Sequence, residues 1–409
     1  MKYGLIGEKL GHSFSKTIHE SLGYEYELRE IEADKLDDFM RDRDFQGINV
    51  TIPYKERVIP YLDFIDEGAK AIGAVNTIVN KSGKLYGYNT DFYGMKMLFT
   101  HAEIDPSGKK VAILGSGGTS KTASAVLSSL GASEILRVSR SGKDGAITYG
   151  ELYQKHGDLK IIVNTTPVGM FPDIYDCSVD ISRFDGLLGV IDAIYNPLRT
   201  TLINDALARG INAEGGLYML VGQAVKAAEI FLGISYAEET VDRIFENIRQ
   251  KKENIVLIGM PACGKSTVGR ILAEGFNRPL IDTDELIEKR AKMSIKDIFE
   301  KQGEAEFRRL ESEVIKEIAQ RDGQIISTGG GAILREENVS ALKYNGKLFF
   351  IDRPIESLIP TESRPLSSNK VDIKNRFKER YGIYCDVCDV KVDAKCDAST
   401  VAKKITEIF

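Results

Sequence analysis

Two segments of the chain repeat one pattern of apolar and polar positions. In residues 111–132 and again in residues 254–276, a short aliphatic run leads into a glycine-rich turn, and helically spaced apolar residues follow. This order predicts a buried strand, a turn and a helix, the opening of a βαβ unit whose helix N-terminus offers free amides to phosphate. The turns begin at Gly115 and Gly259. Because they lie a domain's length apart, the pattern predicts two separate nucleotide sites.

A second amphipathic pattern and a charged run lie between these units. The apolar residues of this pattern recur at the spacing of one helix face: Val241, Ile244, Phe245 and Ile248. The charged run 249–253 follows, and we interpret it as a solvated helix end or linker rather than a binding patch. The sequence therefore predicts a domain junction at residues 248–253. The length of 409 residues, at about 100–200 per domain, also predicts more than one domain.

Composition narrows the class of protein. Hydrophobic residues make up 43% and charged residues 28% of the chain, which excludes wholesale disorder and a collagen-like or disulfide-stapled fold. The net charge of −5 leaves no broad basic surface, so we expect no nucleic-acid partner. We also expect no membrane association, because no apolar run approaches the length of a membrane span. The few cysteines and the start of the chain, which lacks a signal-peptide pattern, predict a cytoplasmic location. The oligomeric state stays open, a homo-oligomer included.

The first glycine turn departs from the usual dinucleotide fingerprint, but it still follows a predicted strand and opens a predicted helix. Its proposed cofactor contacts are Gly115, Gly117, Gly118 and Thr119, with Ser120 at the position of the last glycine. Where an NAD-binding chain usually carries an acid for the ribose, the second strand ends instead in Ser139, Arg140 and Ser141. An arginine flanked by hydroxyls suits a 2′-phosphate. The sequence therefore predicts NADP(H) rather than NAD.

Polar groups at predicted strand ends form an ordered series of motifs around this turn. The motifs are His12-Ser-Phe-Ser15, Asn49-Val-Thr51-x-Pro53-x-Lys55, Val75-Asn-Thr77, Asn89-Thr-Asp91, Asn164-Thr-Thr-Pro-Val-Gly-Met170, Asp192-Ala-Ile-Tyr195-Asn-Pro197 and Gly216-Leu-Tyr-Met-Leu-Val-Gly-Gln223. In this order they make residues 1 to about 245 resemble shikimate dehydrogenase. That resemblance implies a substrate lobe, a Rossmann-type NADP lobe and an active site in the cleft between them.

The resemblance also implies roles for individual residues. It assigns the carboxylate and ring hydroxyls of the substrate to Ser13, Ser15, Thr51, Asn76 and Gln223, with Tyr195 nearby. It makes Lys55 and Asp91 the catalytic pair, since a hydride delivered to a carbonyl must be matched by a proton on the oxygen. One departure is Lys16, which stands where the family usually has proline. We expect it to add a cation near the carboxylate site.

The second glycine turn matches the P-loop pattern completely. Its contacts to nucleotide are Gly259, Gly264, Lys265, Ser266 and Thr267. Backbone amides of such a loop cradle phosphates, the lysine reaches the β and γ oxygens, and the serine ligates Mg²⁺. A P-loop says nothing about the phosphoryl acceptor, so the remaining motifs must identify it.

Those motifs make residues 254–409 resemble shikimate kinase, in the nucleoside-monophosphate-kinase-like fold. They are Asp282-Thr-Asp284, Gly303-Glu-Ala-Glu-Phe-Arg308-x-x-Glu311, Gly329-Gly330-Gly331, Ser363-Arg364-Pro-Leu and Glu379-Arg380-Tyr-Gly-Ile-Tyr384. The resemblance implies that Asp284 is the base and Asp282 a Mg²⁺ ligand. It places Arg308 and Arg380 on the substrate carboxylate, Gly330 and Gly331 beside the ring, and Arg364 on a lid over the transferred phosphoryl group. The stretch before Arg364 lacks the arginine that the family often places facing adenine.

Together these features predict a bifunctional α/β enzyme. Its expected parts are a two-lobed dehydrogenase at 1–248 and a P-loop kinase with a parallel sheet at 254–409. Within the dehydrogenase we assign 1–100 and 222–248 to the substrate lobe and 101–221 to the NADP lobe. The expected reactions are NADPH-dependent reduction of 3-dehydroshikimate to shikimate and ATP- and Mg²⁺-dependent phosphorylation of shikimate to shikimate 3-phosphate. Two alternatives are an NAD-dependent quinate/shikimate dehydrogenase fused to a kinase, and a non-catalytic metabolite sensor.

Overall fold

The computed structural model describes residues 1–10, 14–358 and 370–409, without the side chains of 370–372. The chain divides into two compact units, residues 1–247 and residues 248–409. Each unit is built on parallel or largely parallel sheets flanked by helices, so the predicted α/β fold class is confirmed. In the described part of the chain, no helix is both long and apolar enough to cross a membrane.

A six-stranded mixed sheet forms the first lobe of residues 1–247. Its strands are β1 Tyr3–Gly7, β2 Glu27–Glu30, β3 Gly47–Val50, β4 Phe64–Ile65, β5 Thr77–Lys81 and β6 Lys84–Tyr88. The order is β2-β1-β3-β5-β6-β4, and β5 runs antiparallel to both β3 and β6. The helices of this lobe are α1 Ser15–Ser21, α2 Leu36–Asp42, α3 Glu67–Ile72 and α4 Thr90–His101, with a 3₁₀ turn at Ile59–Tyr61.

A five-stranded parallel sheet forms the second lobe. Its strands are β7 Lys110–Leu114, β8 Glu134–Val138, β9 Ile161–Asn164, β10 Gly189–Asp192 and β11 Asn212–Glu214, in the order β11-β10-β9-β7-β8. Its helices are α5 Gly118–Ser129, α6 Tyr149–Lys155 and α7 Thr201–Ala208, with a 3₁₀ turn at Ile181–Arg183. The interior strand β7 is apolar on both faces, because helices cover both sides of a parallel sheet.

Two long helices follow the second lobe, and the division between the two units falls within the second of them. Helix α8 spans Leu217–Leu232 and packs along α4, and α9 spans Glu239–Lys252. A Cβ on Gly94 of α4 would run into the Met219 carbonyl of α8, so glycine at 94 is what allows the two helices to lie this close. The lobe boundary that we place at 221/222 falls inside α8, which is continuous there.

Residues 248–409 form a third, wholly parallel sheet. Its strands are β12 Asn254–Ile258, β13 Leu280–Asp282, β14 Ile325–Ser327, β15 Gly346–Asp352 and β16 Val390–Asp393, in the order β13-β14-β12-β15-β16. The helices are α10 Lys265–Phe276, α11 Thr283–Ala291, α12 Ile295–Ile318, α13 Glu336–Tyr344, α14 Lys370–Val387 and α15 Ala398–Ile408, with 3₁₀ turns at Ala332–Leu334 and Ile355–Ser357. Helix α12 is broken at Gly303, whose φ of +86° favours glycine.

Candidate functional sites

Lys55 and Asp91 form an ion pair in the first lobe. Lys55 follows β3, and Asp91 lies in the first turn of α4, which the Asn89 side chain caps by accepting from the Phe92 amide. The Lys55 Nζ donates to Asp91 Oδ2 at 2.6 Å, and both side chains are mostly buried, at 22% and 14% exposed. The ion pair holds the Lys55 ammonium in a fixed position, which a proton donor to a bound carbonyl requires.

A buried polar network surrounds Asn76 next to this pair. The Asn76 side-chain oxygen accepts from the Thr90 amide at 2.7 Å and from the Thr77 hydroxyl at 3.0 Å. The Thr90 hydroxyl in turn donates to Gln223 Oε1 at 3.4 Å, and Gln223 Nε2 donates to the Leu220 carbonyl. The network thus joins the end of the antiparallel strands, the start of α4 and the middle of α8. It brings Asn76 and Gln223 together as expected, through a threonine that our sequence assignment left out.

Asn49, on β3, is hydrogen-bonded to this network. Its Nδ2 donates to the Thr77 hydroxyl at 3.0 Å, and its Oδ1 accepts from the Tyr26 hydroxyl at 2.7 Å. The His19 ring stacks on Tyr26 with centroids 3.9 Å apart, and burial lowers the pKa of His19 to about 3. His19 is therefore a neutral packing group. Thr51, which follows β3, donates its amide to the Ile6 carbonyl at 3.0 Å.

The remaining predicted substrate residues lie at the start of α1 and after β10. Ser15 is the first residue of α1 and is buried. The Tyr195 ring meets the Phe14 ring edge-on at 6.0 Å, and burial raises the pKa of the Tyr195 phenol. Lys16 is half exposed and pairs with Glu20 at 3.5 Å along the same helix. Ser13 lies outside the described residues.

The first glycine turn lies between β7 and α5, at the carboxyl edge of the parallel sheet. Gly115 has φ of +109°, a value that favours glycine. Gly117 caps α5 without a side-chain hydrogen bond. The Ser120 amide donates to the Gly117 carbonyl at 3.0 Å, so the amides of Gly118 and Thr119 are the ones left for a ligand. A Cβ on Gly117 or Gly118 would meet no atom within 4 Å, which leaves room for a ligand against the backbone. Thr119 is the second residue of the helix. This arrangement fits a pyrophosphate.

The predicted 2′-phosphate contacts follow the neighbouring strand β8. Ser139 accepts from the Gly142 amide at 3.1 Å and so closes a tight loop that carries Arg140 and Ser141. Arg140 is exposed and has no ion pair within the described residues. Lys143 follows in the same loop and adds a second exposed cation, which our sequence assignment left out. Because β7 and β8 are adjacent, the loop and the glycine turn lie at the same edge of one sheet.

The P-loop folds around its lysine. Lys265 is 4% exposed, and its Nζ donates to the Gly259 carbonyl at 2.8 Å and to the Met260 carbonyl at 3.0 Å. The Cys263 thiol lies 3.7 Å from the same nitrogen. Gly264, with φ of +102°, caps α10, so the amides of Lys265, Ser266 and Thr267 begin the helix. The loop therefore has the anion-binding geometry that the sequence predicts.

The predicted metal ligands meet beside the loop. Ser266 Oγ donates to Asp282 Oδ2 at 2.9 Å, and Asp282 Oδ1 accepts from the Asp284 amide at 3.0 Å as the cap of α11. A hydroxyl and a carboxylate are the oxygen ligands that Mg²⁺ prefers. The pair fits a Mg²⁺ site, with Asp284 one residue into α11.

A cavity of about 300 Å³ opens next to these acids. Its lining includes Asp284, Arg308, Gly330, Gly331 and Arg380. Arg308 is 8% exposed, and its Nη1 donates to Glu311 Oε2 at 2.7 Å while Nη2 donates to Glu304 at 3.2 Å. Burial raises the pKa of Glu311, and Arg308 opposes that rise. A charged arginine held by a buried acid is thus fixed at the wall of the cavity.

The triple-glycine turn lines the same cavity next to Arg308. A Cβ on Gly331 would lie within 3 Å of the Arg308 guanidinium, so a larger residue there would displace that group. Arg380 donates from Nη1 to the Gly330 carbonyl at 3.0 Å. The structure therefore brings both arginines and both glycines to one cavity. Arg364 lies outside the described residues.

Two family models match the chain. The one described as shikimate dehydrogenase substrate binding domain matches residues 5–78, and the one described as shikimate kinase matches residues 261–409. The two matches fall on the first lobe and on the P-loop unit, respectively.

Relatives and solved structures match the first part of the chain. The NADP(+) shikimate dehydrogenase of Clostridium perfringens is 40% identical over 266 residues, covering 60% of this chain and 98% of that protein. The crystal structure of shikimate dehydrogenase 1 from Peptoclostridium difficile is 39% identical with a TM-score of 0.56, covering 61% and 98%. The Thermus thermophilus shikimate 5-dehydrogenase, solved in complex with NADP(H) and shikimate, is 26% identical with a TM-score of 0.54, covering 60% and 99%.

Proposed function

Because this chain belongs to the shikimate dehydrogenase family over its first part and carries a shikimate kinase domain at residues 261–409, we propose that it catalyses two consecutive reactions. The first is NADPH-dependent reduction of 3-dehydroshikimate to shikimate. The second is ATP-dependent phosphorylation of that shikimate to shikimate 3-phosphate. The observation that carries the proposal is the presence, in one polypeptide, of the 2.6 Å Lys55–Asp91 pair and of a complete P-loop beside an arginine-lined cavity.

In the reduction, Lys55 is the proposed catalytic acid. Its ammonium stabilises the oxyanion that develops on the substrate carbonyl and donates the proton that oxygen needs. Asp91 holds Lys55 in place at 2.6 Å and binds a ring hydroxyl of the substrate. Asn76 and Gln223, fixed by Thr90, contact further ring hydroxyls. Ser13, Ser15 and Thr51 bind the carboxylate and hydroxyls, with Tyr195 beside them.

The first glycine turn and its neighbouring loop are the proposed binding site of NADPH, which supplies the hydride when bound. The free amides after Gly117 and the open space at Gly118 suit the pyrophosphate, and Gly115 and Thr119 complete the turn. Arg140, between Ser139 and Ser141, suits the 2′-phosphate, because a guanidinium binds phosphate with several N–H groups at once. We propose NADPH over NADH on this ground.

In the phosphorylation, Asp284 is the proposed base for the acceptor hydroxyl. Arg308 and Arg380 hold the acceptor carboxylate, because their planar guanidinium groups match a carboxylate with two N–H bonds. Gly330 and Gly331 leave the cavity wall open to the ring. Lys265, Thr267 and the amides between Gly259 and Gly264 hold the ATP phosphates. Arg364 is the proposed cation that closes over the transferred group.

Mg²⁺ is proposed to bind at Ser266 and Asp282, where it offsets the charge of the phosphates. The hydroxyl and the carboxylate already lie 2.9 Å apart, so few changes in side-chain position are needed to place a cation between them.

The test of this proposal is a coupled assay on the full chain. With 3-dehydroshikimate, NADPH, ATP and Mg²⁺ supplied, we expect shikimate 3-phosphate as the product. Lys55→Ala should abolish reduction and leave phosphorylation intact, and Lys265→Ala should do the reverse. If either substitution abolishes both activities in a folded chain, the two-site assignment is wrong. Faster reduction with NADH than with NADPH would overturn the cofactor assignment. The cytoplasmic location and the oligomeric state stay predictions.

A further inference from the structure

A continuous chain of hydrogen bonds joins the P-loop to the triple-glycine turn. Lys265 Nζ donates to the Gly259 carbonyl at 2.8 Å, and the Tyr384 hydroxyl lies 2.9 Å from the same oxygen. On its other side this hydroxyl lies 2.5 Å from the Gly330 carbonyl, which also accepts from Arg380 Nη1 at 3.0 Å. One phenol therefore stands between the lysine of the nucleotide site and an arginine of the acceptor site.

The Tyr384 side chain is held rigidly at this position. It is 1% exposed, and its ring stacks on Phe350 with centroids 4.9 Å apart and planes 13° from parallel. Burial raises the pKa of the phenol far above the physiological range, so the hydroxyl keeps its proton. The strands that lead into the two turns, β12 and β14, are neighbours in the sheet. Tyr384 thus contacts both turns at the edge where the two strands end.

A phenol has one proton and can donate to one carbonyl at a time. The other carbonyl then depends on its own cationic donor, which is Lys265 for Gly259 and Arg380 for Gly330. Buried carbonyls are seldom left without a donor. If Lys265 moves away from the Gly259 carbonyl, the Tyr384 proton turns to that carbonyl. The Gly330 carbonyl is then left with Arg380 as its donor.

We propose that Tyr384 is a positioning residue that couples the nucleotide and acceptor sites of the kinase. This inference rests on the proposed roles of Lys265 toward the ATP phosphates and of Arg380 toward the acceptor carboxylate. When phosphates draw Lys265 Nζ from the Gly259 carbonyl, the Tyr384 proton turns to that oxygen. The Gly330 carbonyl then depends on Arg380, and this bond fixes the guanidinium. Bound nucleotide therefore tightens acceptor binding, and the acceptor tightens nucleotide binding by the same factor.

The test measures shikimate binding to the full chain by calorimetry, with and without Mg–ADP. In the wild type we expect Mg–ADP to lower the Kd of shikimate about fivefold or more, the usual lower range for coupled sites. Tyr384→Phe keeps the ring on Phe350 and removes only the hydroxyl, so we expect this ratio to fall toward one. The matched control is Tyr381→Phe on the same helix. The Tyr381 hydroxyl bonds to Asp352 at 3.1 Å rather than to either turn, so the ratio should stay at the wild-type value.

Two results would overturn the coupling. One is a wild type that phosphorylates shikimate but whose Kd for shikimate does not respond to Mg–ADP. The other is a Tyr384→Phe chain that binds both ligands more weakly at an unchanged ratio, as a purely structural residue would. A wild type that phosphorylates no shikimate counts against the proposed function instead. If Tyr384→Phe does not fold, the proposal is tested instead by amide hydrogen exchange of the wild type with and without Mg–ADP. Mg–ADP alone should then slow amide exchange in residues 328–333, and unchanged exchange there refutes the proposal.

Discussion

We predict that Asp192 makes the stability of the NADP lobe depend on pH. It ends β10, is fully buried, and accepts from Asn164 Nδ2 and the Ile194 amide at 3.0 Å and from the Thr200 hydroxyl at 2.7 Å. The described residues give it no cationic partner. Burial raises the pKa of Asp192 from 3.8 to about 7, although all three hydrogen bonds favour the charged form. The fold therefore prefers the protonated acid, and Asp192→Asn imitates that form.

The change in folding free energy follows from the shift in the pKa of Asp192. A difference of about 3 pKa units corresponds to about 4 kcal/mol of folding free energy, present in full below pH 3.8 and lost as the pH rises through 7. Between pH 5 and pH 8 the loss is about 2.5 kcal/mol, because the unfolded carboxyl is already mostly ionised at pH 5. The side chain introduced by Asp192→Asn keeps an acceptor oxygen for Asn164 and Ile194, and its amide nitrogen faces Thr200. The imperfect bond to Thr200 costs about 1 kcal/mol at either pH, so it cancels from the comparison.

The assay is calorimetric unfolding of the full chain at pH 5 and pH 8. We expect the transition of residues 1–247 to be the one that added NADP⁺ shifts. We expect the melting temperature of Asp192→Asn, relative to wild type, to rise by roughly 5–10 °C more at pH 8 than at pH 5. The control is Asp180→Asn. The Ser182 hydroxyl and amide lower the pKa of the exposed Asp180, so it is ionised at both pH values and its effect should not change. If Asp192→Asn changes the melting temperature, relative to wild type, by the same amount at both pH values, the reasoning is refuted.

Two further substitutions test the anion sites. Arg140→Ala should raise the KM for NADPH at least tenfold and leave the KM for NADH within about twofold, since one charge-assisted contact to the 2′-phosphate is lost; equal changes for both cofactors would contradict the assignment. Gly331→Ala should abolish phosphorylation and leave reduction unchanged, because its Cβ displaces the Arg308 guanidinium. Gly275→Ala, with open space around it on α10, should keep both activities, and steady-state rates of the two reactions measure the difference.

The parts of the fold that depend on local pattern were accessible from sequence. The apolar runs at 111–114 and 255–258 are buried strands, and each is followed by a glycine turn and a helix as predicted. The helix pattern from Val241 to Ile248 is likewise confirmed as part of α9. Periodicity and turn composition act over a few residues, so they identify such elements without knowledge of the tertiary fold.

Contacts between distant elements were not accessible in this way. Thr90 joins Asn76 to Gln223 only because α4 packs along α8, and Tyr384 bonds two turns only because β12 and β14 are neighbours. The resemblance to shikimate kinase implied Arg380, yet nothing local shows that Tyr384, one helical turn later, faces two carbonyls. The lobe boundary at 221/222 stays a prediction; it falls within α8, and an uninterrupted helix carries no local signal of a boundary.

The two proposed sites present different cations to similar ligands, and the chemistry proposed for each step accounts for the difference. Both acceptors are cyclic carboxylates with hydroxyl groups, yet the first site presents Lys55 and the second presents Arg308. A lysine ammonium can give up a proton, which the reduction requires at the carbonyl oxygen, whereas a guanidinium cannot be deprotonated in a protein. The carboxylates beside them fit these proposed roles. Lys55, paired with Asp91, is 22% exposed, and Arg308, paired with the buried Glu311, is 8% exposed. Exchanging the two residue types would therefore disable each site for a different reason, proton transfer in the first and carboxylate geometry in the second.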